Sequence, residues 1–413
     1  MVVVGLGSGK TLTIIRRLLY LIYARKVPAD KILVITYTKE AALSMQEKFY
    51  EQKSQFQFKQ QVNQGYVSFG TFHSYFYQII KNIKKYSEYQ LITPREKYKL
   101  ATLAIKDTTE EVSDFDVRRF LEQVSFYKNT GKQKDEEDIE STFQKYQDML
   151  LRYKRMDFDD MLYLCKRELQ TDINLLNRCR ERYEYVLIDE YQDINPIQYE
   201  LIYLLTQTKQ NLFVVGDDDQ SIYGFRGSDG QCFQKLLKDF NDTKTIYLNV
   251  NYRCVASIVE ISQTMISNNK NRLKKKIVSG VAEEIQGQIF LQGSVNTQEM
   301  YQTVVNCFLD KQVEELNKEA VLFRTNAALQ TFANKLASKH IPFIVREKIN
   351  SYYEHFIGCD ILDYFVAAQG CKERSLYLRL FQKLKVPIGR ELLTEEKVDL
   401  EVVKRSLKRS VHD

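Results

Sequence analysis

Short runs of consecutive apolar residues recur along the first 250 positions, and each run ends at polar residues or at glycine. Such runs are typical of strands that are buried on both faces, as they are in a parallel sheet. Between the runs, apolar residues recur at helical spacing, for example at Leu12, Ile15, Leu18 and Leu19. Strands that alternate with helices predict an α/β fold around a parallel sheet. The predicted strands are residues 1–4, 32–35, 67–69, 185–188, 212–215 and 245–248.

The pattern changes over residues 94–151, which are highly charged, helical in spacing and without a strand-like run. We interpret this segment as a helical insertion into the α/β domain, with a flexible break at residues 128–132. The run Lys274, Lys275 and Lys276 is predicted to be an exposed basic boundary. A second α/β unit is expected to follow it. Its predicted strands are residues 288–291, 321–323 and 342–345, and its helices lie near 297–310, 329–338, 361–366 and 376–384.

Composition narrows the class of protein. With 413 residues, 44% of them hydrophobic and 28% charged, the chain is typical of a globular protein with two or three domains. The seven cysteines form no C-x-x-C pair and there are only four histidines, which argues against a zinc or iron–sulfur site and predicts reduced thiols in a cytoplasmic protein. We see no signal peptide or membrane-length apolar run, and expect no membrane partner. The net charge of +6 is compatible with nucleic acid but does not by itself indicate it.

A glycine-rich turn follows the first predicted strand and leads into the first predicted helix. This is the context that a phosphate-binding loop requires, because glycines let backbone N–H groups wrap a phosphate. Lys10 would bridge the β- and γ-phosphates of a nucleotide, and the Thr11 hydroxyl would coordinate Mg²⁺. The match is imperfect at its first position, where Val4 replaces a small residue, and a chance turn is the alternative. The predicted nucleotide-binding residues are Gly5, Gly7, Ser8, Gly9, Lys10 and Thr11.

Two adjacent acids, Asp189 and Glu190, follow the strand predicted at residues 185–188. Open α/β sheets bind ligands at the carboxyl ends of their strands, so one acid could hold a metal while its neighbour accepts a proton. The alternative is that the pair only forms a solvated turn or caps a helix. Gln220 follows the strand at 212–215 and is expected near a γ-phosphate. A separate acidic group, Asp157, Asp159 and Asp160, is predicted to cap a helix rather than to bind a metal.

Aromatic, hydroxyl and basic residues also follow several of the predicted strands. Aromatic rings stack on the bases of single-stranded nucleic acid, while hydroxyls and cations contact its phosphates. Taken singly, Tyr37, Thr38, Thr71 and His73 are better explained as helix caps or core aromatics. The candidates for DNA contact are Tyr37, Thr38, Thr71, His73, Tyr223, Phe225 and Arg226.

In their order along the chain, these motifs resemble those of the UvrD/Rep-type superfamily 1 DNA helicases. The most distinctive are Asp-Glu-x-Gln-Asp, Gly-Asp-x-Asp-Gln-Ser-Ile-Tyr and Asn-Tyr-Arg. The resemblance runs through nearly the whole chain. The matching stretches are residues 5–11, 35–45, 70–74, 186–198, 214–227 and 248–253, supported by 322–326 and 340–343.

The resemblance implies two RecA-like P-loop NTPase domains, each with a helical insertion, that couple ATP hydrolysis to 3′→5′ movement along single-stranded DNA. Partners would be single-stranded DNA and its junctions with duplex, with little sequence preference. Carried onto this chain, the domains become a first RecA-like domain at residues 1–93 and 152–265 with an insertion at 94–151. Residues 266–366 would form part of the second RecA-like domain, and residues 367–413 would begin its insertion.

The resemblance also assigns roles to individual residues, with ATP and Mg²⁺ as cofactors. Lys10 and Thr11 would bind phosphate and Mg²⁺, and Asp189 would hold that Mg²⁺. Glu190 would position and deprotonate the attacking water. The remaining implied contacts are Gln192 and Gln220 to the γ-phosphate, Arg253 to transition-state charge, and Tyr252 to adenine.

Several departures from the family pattern accompany this resemblance. Leu12 stands where family members usually place an arginine against adenine, and Phe225 stands where tryptophan is common. We find no upstream glutamine motif, no C-terminal Lys-Gly-Leu-Glu segment and no second catalytic arginine. We therefore expect the front part of a helicase that binds ATP and single-stranded DNA but unwinds little alone. A nucleotide-dependent DNA-binding module without motor activity and the motor part of a helicase–nuclease are the alternatives.

Overall fold

The computed structural model describes residues 1–55, 65–106, 112–133, 139–222, 224, 231–270, 272–282, 285, 287–346, 356–383, 401 and 403. These residues belong to two compact units, Met1–Ile289 and Phe290–Asp413. The strands of the first unit are β1 Val2–Val4, β2 Ile32–Thr36, β3 Ser68–Thr71, β4 Gln90–Leu91, β5 Arg155–Met156, β6 Tyr185–Ile188, β7 Leu212–Gly216, β8 Ile246–Leu248, β9 Val250–Asn251 and β10 Val278–Ser279. Its helices are α1 Lys10–Leu19, α2 Lys39–Gln55, α3 Phe72–Lys81, α4 Pro94–Lys106, α5 Asp114–Thr130, α6 Glu140–Arg152, α7 Asp160–Thr171, α8 Ile173–Arg182, α9 Pro196–Thr206, α10 Cys232–Asp239 and α11 Ala256–Ile266.

The six apolar runs predicted to be strands form one sheet, in the order β3-β2-β6-β7-β1-β8. Every neighbouring pair is parallel, as the two-sided burial of the runs predicted. In the register, Ile35 lies opposite Ile188 on one side and Gly70 on the other. Because all six strands run the same way, the polar residues that follow them lie at one edge of the sheet.

Two apolar layers cover this sheet because successive strand residues point to opposite faces. Ile32 and Val34 of β2 belong to the layer that α1 and α2 cover. Leu33 and Ile35 belong to the other layer, which includes residues of α3, α7 and α9. Both faces of the sheet are therefore buried, which fixes the positions of its strand ends.

The segment predicted to be a helical insertion contains α4, α5 and α6, which share a core of their own. The flexible break predicted at residues 128–132 is wrong, because α5 continues through Thr130 and Gly131 ends it with φ +68°. The Lys128 side chain is fully buried, and its Nζ lies 2.9 Å from Asp157 Oδ2 and 2.7 Å from Asp160 Oδ1. This ion cluster joins α5 to the start of α7 and orders the segment.

Of the three acids predicted to cap α7, Asp157 and Asp160 exchange bonds at its start, whereas Asp159 makes no side-chain cap bond and its Oδ1 accepts from Asn129 Nδ2. The Asp157 N–H donates to Asp160 Oδ2 at 2.8 Å, and the Asp160 N–H donates to Asp157 Oδ1 at 2.9 Å. These reciprocal bonds are of the capping-box type. Burial raises the pKa of the Asp160 carboxyl, and the adjacent Asp157 charge raises it further. Lys128 contacts both carboxyls and Lys97 Nζ lies 3.5 Å from Asp157 Oδ2, so two cations face the two acids, which explains why the cluster tolerates burial.

The lysine run at 274–276 is not uniformly exposed, contrary to prediction. Lys274 and Lys276 are exposed, but the Lys275 side chain is 1% exposed and contacts three aspartates. Charge alone could not reveal this difference, because the aspartates lie more than 50 positions earlier in the chain.

The second unit contains α12 Thr297–Asn306, α13 Val313–Leu316, α14 Asn326–Ser338, α15 Phe356–Ala368 and α16 Arg374–Lys383. The predicted helices are present, but the strands predicted at 288–291, 321–323 and 342–345 are wrong, since these described residues form no ladder. Val321 and Phe323 pack instead against the core made by α12 and α14. Their apolar pattern thus indicates that the side chains are buried, although the backbone does not pair with another strand. Among the described helices, none has the length and apolarity needed to cross a membrane.

Candidate functional site

The glycine-rich turn lies between β1 and α1, with two of its glycines in the left-handed region. φ is +67° at Gly7 and +89° at Gly9, which glycine adopts without strain. The Ser8 hydroxyl donates to the Gly5 carbonyl at 2.7 Å, and α1 begins at Lys10. The helix N-terminus therefore opens onto the turn, an arrangement suited to an anion.

A cavity of about 480 Å³ opens at the mouth of this turn. The turn forms one wall, and α2 contributes polar residues that the sequence had not singled out. Leu12, where an arginine was expected, also lines the cavity. The other lining side chains include Lys10, Thr11, Lys48, Glu51, Gln52, Gln55, Glu190 and Arg253.

The two acids after β6 differ in their surroundings. Asp189 is buried, and its Oδ1 accepts the Glu190 N–H at 3.0 Å. Burial, followed by the Glu190 charge, raises the pKa of Asp189 to about 6. Glu190 has φ +49°, which is uncommon for a residue with a side chain, and its Oε2 lies 2.5 Å from Lys10 Nζ. A solvated turn therefore does not describe the pair, because Asp189 is buried and Glu190 contacts the loop lysine.

Gln192 connects Glu190 to the end of β7. Its Nε2 donates to Glu190 Oε2 at 2.7 Å, and its Oε1 accepts the Asp217 N–H at 2.9 Å. Asp217 Oδ2 in turn accepts a hydrogen bond from Gln220 Nε2 at 2.5 Å. A continuous set of polar contacts thus runs from Lys10 across three strand ends to Gln220. Sequence reasoning placed the members of this set at one edge but did not identify Asp217 as the link.

The segment after β9 closes the other side of the turn. Asn251 Oδ1 accepts the N–H groups of Arg253 and Cys254, each at 2.8 Å. The Tyr252 N–H donates to the Gly7 carbonyl at 3.1 Å, while the residue as a whole is 67% exposed. Arg253 therefore lines the cavity, and Tyr252 presents an uncovered aromatic ring beside the turn.

The ends of β2 and β3 hold the first group of candidate DNA contacts. Thr36 lies opposite Thr71 in the register, which brings these two strand ends together. Thr71 and Ser74 form a capping box at the start of α3, and Thr38 Oγ1 accepts the Ala41 N–H at 3.1 Å. Both threonines thus cap helices, as the simpler interpretation held. Tyr37, which lies between Thr36 and Thr38 in the chain, is half-buried.

His73 stacks on Phe158, with ring centroids 3.9 Å apart and 23° between the planes. Burial lowers the pKa of His73 to about 4, although the Asp159 charge opposes this shift. The imidazole is therefore neutral near pH 7 and offers a ring face rather than a charge. Phe158, 56% exposed, was missed by sequence reasoning, although an aromatic residue between two aspartates was a usable signal.

His73 should make stability pH-dependent. The unfolded chain takes up a proton near pH 6.5 and the folded protein only near pH 4, so stability falls as pH drops through this window. Between pH 7.5 and 5, we expect wild type to lose about 2 kcal/mol more unfolding free energy than His73→Phe, which keeps an aromatic ring. Urea unfolding at the two pH values measures the difference. Equal losses in both proteins would contradict a neutral, buried His73.

The candidates Tyr223, Phe225 and Arg226 lie outside the described residues, so their placement stays a prediction. The described sites form two groups. One surrounds the glycine-rich turn at β1, β6, β7 and β9, and the other lies at the ends of β2 and β3.

Comparison with known protein families agrees with this arrangement. The model of the UvrD/REP helicase N-terminal domain matches residues 1–241, more than half of the chain. The chain belongs to the UvrD/REP helicase family. Residues 246–405 match the UvrD-like helicase C-terminal domain. The UvrD/REP family fold is a RecA-like P-loop α/β fold, so the parallel sheet and its glycine-rich turn have the expected architecture.

Curated relatives support the same family. The chain is 32% identical over 384 residues to "Putative ATP-dependent DNA helicase YjcD" of Bacillus subtilis, covering 89% of this chain and 50% of that protein. It is 30% identical over 369 residues to "Probable DNA helicase II homolog" of Mycoplasma capricolum, covering 83% of this chain and 49% of that protein. It is 28% identical over 412 residues to "ATP-dependent DNA helicase PcrA" of Leuconostoc citreum, covering 95% of this chain and 54% of that protein. The chain spans about half the length of these UvrD/REP relatives.

Gly7 provides a test of the loop in this UvrD/REP protein. A Cβ at Gly7 would lie 2.7 Å from Asn251 Oδ1 and 2.8 Å from Arg253 Cβ, in a backbone conformation that disfavours side chains. We expect Gly7→Ala to weaken the binding of a fluorescent ATP analogue by about tenfold or more. Gly131→Ala is the control, since Gly131 has φ +68° but open space around a Cβ. Equal affinities of the two variants would remove the loop from the binding site.

Proposed function

We propose that this protein is an ATP-dependent DNA helicase motor that moves 3′→5′ along single-stranded DNA and unwinds its junctions with duplex. We propose DNA repair or replication as its setting. The observation that carries the proposal is the set of polar contacts linking Lys10, Glu190, Gln192, Asp217 and Gln220 at the mouth of a phosphate loop. The names of the relatives, which are DNA helicases, support it.

The donor set fits a magnesium nucleotide. The buried Asp189 carboxylate has one oxygen engaged by a backbone N–H, and burial, followed by the Glu190 charge, raises its pKa. Carboxylate and hydroxyl oxygens are the ligands that Mg²⁺ prefers, so we assign Asp189 and Thr11 to it. When bound, Mg²⁺ would neutralise charge on the phosphate oxygens. The phosphates themselves would lie in the turn formed by Gly5, Gly7, Ser8, Gly9 and Lys10, in which the Gly5 N–H already donates to the Leu248 carbonyl at 3.1 Å.

The side chains around the loop supply what phosphoryl transfer needs, namely positioning, a base and cations. Lys10 now pairs with Glu190, and this pair would separate as Lys10 contacts phosphate and Glu190 accepts a proton from water. Gln192 and Gln220 would contact the γ-phosphate. Arg253, which lines the same cavity, would stabilise charge on the transferring group.

The exposed ring of Tyr252 would stack on adenine, with Leu12 giving an apolar contact where the family usually has arginine. DNA would cross the edge formed by β2 and β3, where stacking and phosphate contacts read no particular sequence. The side chains assigned to DNA are Tyr37, Thr38, Thr71, His73, Tyr223, Phe225 and Arg226.

The proposal keeps the domain division of the resemblance. Residues 1–93 and 152–265 would form the first RecA-like domain and 94–151 its insertion. Residues 266–366 would form part of the second RecA-like domain and 367–413 the start of its insertion. The seven cysteines, all present as thiols in the described chain, are consistent with work in the cytoplasm.

Strand displacement on two tailed duplexes tests this function in the full-length protein. With ATP and Mg²⁺, we expect unwinding of a duplex that carries a 3′ single-stranded tail, and no unwinding of a blunt duplex of the same sequence. A matched duplex with a 5′ tail tests direction. Preference for the 5′ tail would contradict the polarity, and absence of unwinding on all substrates would leave only the nucleotide-dependent DNA-binding alternative.

A further inference from the structure

Residues 272–280, which we call the brace, follow α11 and run along the carboxyl edge of the first unit's sheet. At the far end of the brace, β10 pairs with β9 in parallel, and the Gly280 N–H donates to the Asn251 carbonyl at 2.7 Å. In its middle, Ile277 packs so closely on Gly5 that a Cβ there would lie 2.2 Å from Ile277 Cδ1. The brace thus contacts both the phosphate loop and the segment that carries Arg253.

The near end of the brace carries Lys275, whose side chain is 1% exposed. Its Nζ is paired with Asp217 Oδ1 and lies 2.6 Å from Asp218 Oδ1 and 3.1 Å from Asp219 Oδ2. One buried ammonium therefore contacts three consecutive carboxylates. The contacts with Asp217 and Asp218 are hydrogen bonds, and the contact with Asp219 is an ion pair.

A second cation completes the cluster. Arg272 holds Asp219 through two bonds of 2.7 Å, from Nε to Oδ1 and from Nη2 to Oδ2. The Leu273 N–H donates to Asp218 Oδ2 at 2.6 Å. Asp218 and Asp219 are thus held mainly by the brace, and three acidic charges face only two basic ones. Loss of Lys275 would leave the Asp217 carboxylate buried beside two others without its cation.

Asp217 is the residue through which this cluster reaches the nucleotide site. Its Oδ1 pairs with Lys275, its Oδ2 accepts the Gln220 amide, and its N–H donates to Gln192. We propose that Lys275 is a positioning residue for ATP hydrolysis, which holds Gln220 and Gln192 in place through Asp217. This inference rests on the proposed function, since it assigns both glutamines to the γ-phosphate.

The positioning role predicts a separation between binding and turnover. The phosphate loop does not contact Lys275, so nucleotide affinity should change little when the lysine is replaced. The orientation of the two glutamines should suffer, and misplacement by about 1 Å can reduce turnover by about 100-fold. For Lys275→Met we expect kcat for ATP hydrolysis to fall by about 10- to 100-fold with KM for ATP within about threefold of wild type.

The experiment compares Lys275→Met, Lys275→Arg and Lys274→Met in the full-length protein with single-stranded DNA present. Lys274 is the neighbouring exposed lysine and serves as the matched control, with wild-type kcat expected. Lys275→Arg keeps the charge and should restore kcat to within about fivefold of wild type. Thermal unfolding of each variant separates loss of folding from loss of turnover. Should Lys275→Met not fold, Lys275→Gln takes its place.

The outcomes distinguish the two claims. If wild type itself does not hydrolyse ATP, the proposed function fails. If wild type hydrolyses ATP and folded Lys275→Met or Lys275→Gln has wild-type kcat, the positioning role fails. If kcat falls only in proportion to the loss of thermal stability, and Lys275→Arg does not restore it, the positioning role also fails. Lys275 would then be a structural residue.

Discussion

Glu190→Gln is expected to abolish ATP turnover while leaving nucleotide binding nearly unchanged. The amide keeps the size of the side chain but cannot accept the proton of the attacking water, and loss of a general base costs about 10²- to 10⁴-fold in rate. The Lys10 pair at 2.5 Å would also lose its charge, so the lysine would more readily contact phosphate. Binding of a fluorescent nucleotide should therefore be equal to or tighter than in wild type, while the ATPase rate falls below detection.

Glu184→Gln is the matched control for this experiment. Glu184 is exposed and lies just before the start of β6, at the end of the strand opposite Glu190. Removal of its charge should leave ATP turnover at the wild-type rate. Undiminished hydrolysis by Glu190→Gln would exclude Glu190 as the base. A parallel loss of nucleotide binding would show instead that the substitution damages the loop.

The largest effect on stability is expected for Lys128→Met. This substitution removes the fully buried cation and leaves Asp157 and Asp160 with only the partly exposed Lys97, whose Nζ lies 3.5 Å from Asp157 Oδ2. Breaking a buried ion pair in this way costs about 3–5 kcal/mol in unfolding free energy. Urea unfolding should show this loss, whereas Lys132→Met, which changes an exposed lysine just beyond α5, should stay within about 0.5 kcal/mol of wild type.

The same variant has a pH signature. In wild type the pKa of Asp160 is already raised by burial and by the Asp157 charge, whereas that of Asp157, despite burial, is lowered by Lys128 and Lys97. Loss of Lys128 would raise the pKa values of both carboxyls, so the folded variant would bind more protons than folded wild type. The stability of Lys128→Met relative to wild type should therefore improve as pH falls from 8 towards 5. A deficit that does not change with pH would show that lost packing, rather than unpaired charge, destabilises the variant.

Much of the first unit could be predicted from the sequence because its strands are short apolar runs buried on both faces. Six runs gave six strands, and the polar residues after them predicted the shared edge of the sheet. The second unit was less predictable. There, Val321 and Phe323 lie in an apolar run typical of a strand, but they pack on α12 and α14 without pairing with another strand. An apolar run indicates that its side chains are buried, but it does not show that a partner strand exists.

The two errors about lysines have one physical cause. Lys128 was assigned to a flexible break from the turn-like residues around it, and Lys275 to an exposed boundary from the run of like charges. Each is buried because aspartates 29 to 58 positions away compensate its charge. Such pairs depend on the tertiary fold, so no local pattern could predict them. The role of Asp217 in connecting Gln192 to Gln220 was not predicted for the same reason. Its contacts with Gln192 and Lys275 join segments that are distant in the chain.

The central claim is that the loop, the acids after β6 and the Gln192–Asp217–Gln220 contacts form an ATPase site coupled to DNA at the neighbouring strand ends. Steady-state ATP hydrolysis by the full-length protein, with and without single-stranded DNA, tests this claim most directly. We predict little hydrolysis without DNA and an increase of at least about tenfold on addition of DNA, equal for unrelated sequences. Hydrolysis that is unchanged by single-stranded DNA would contradict the account.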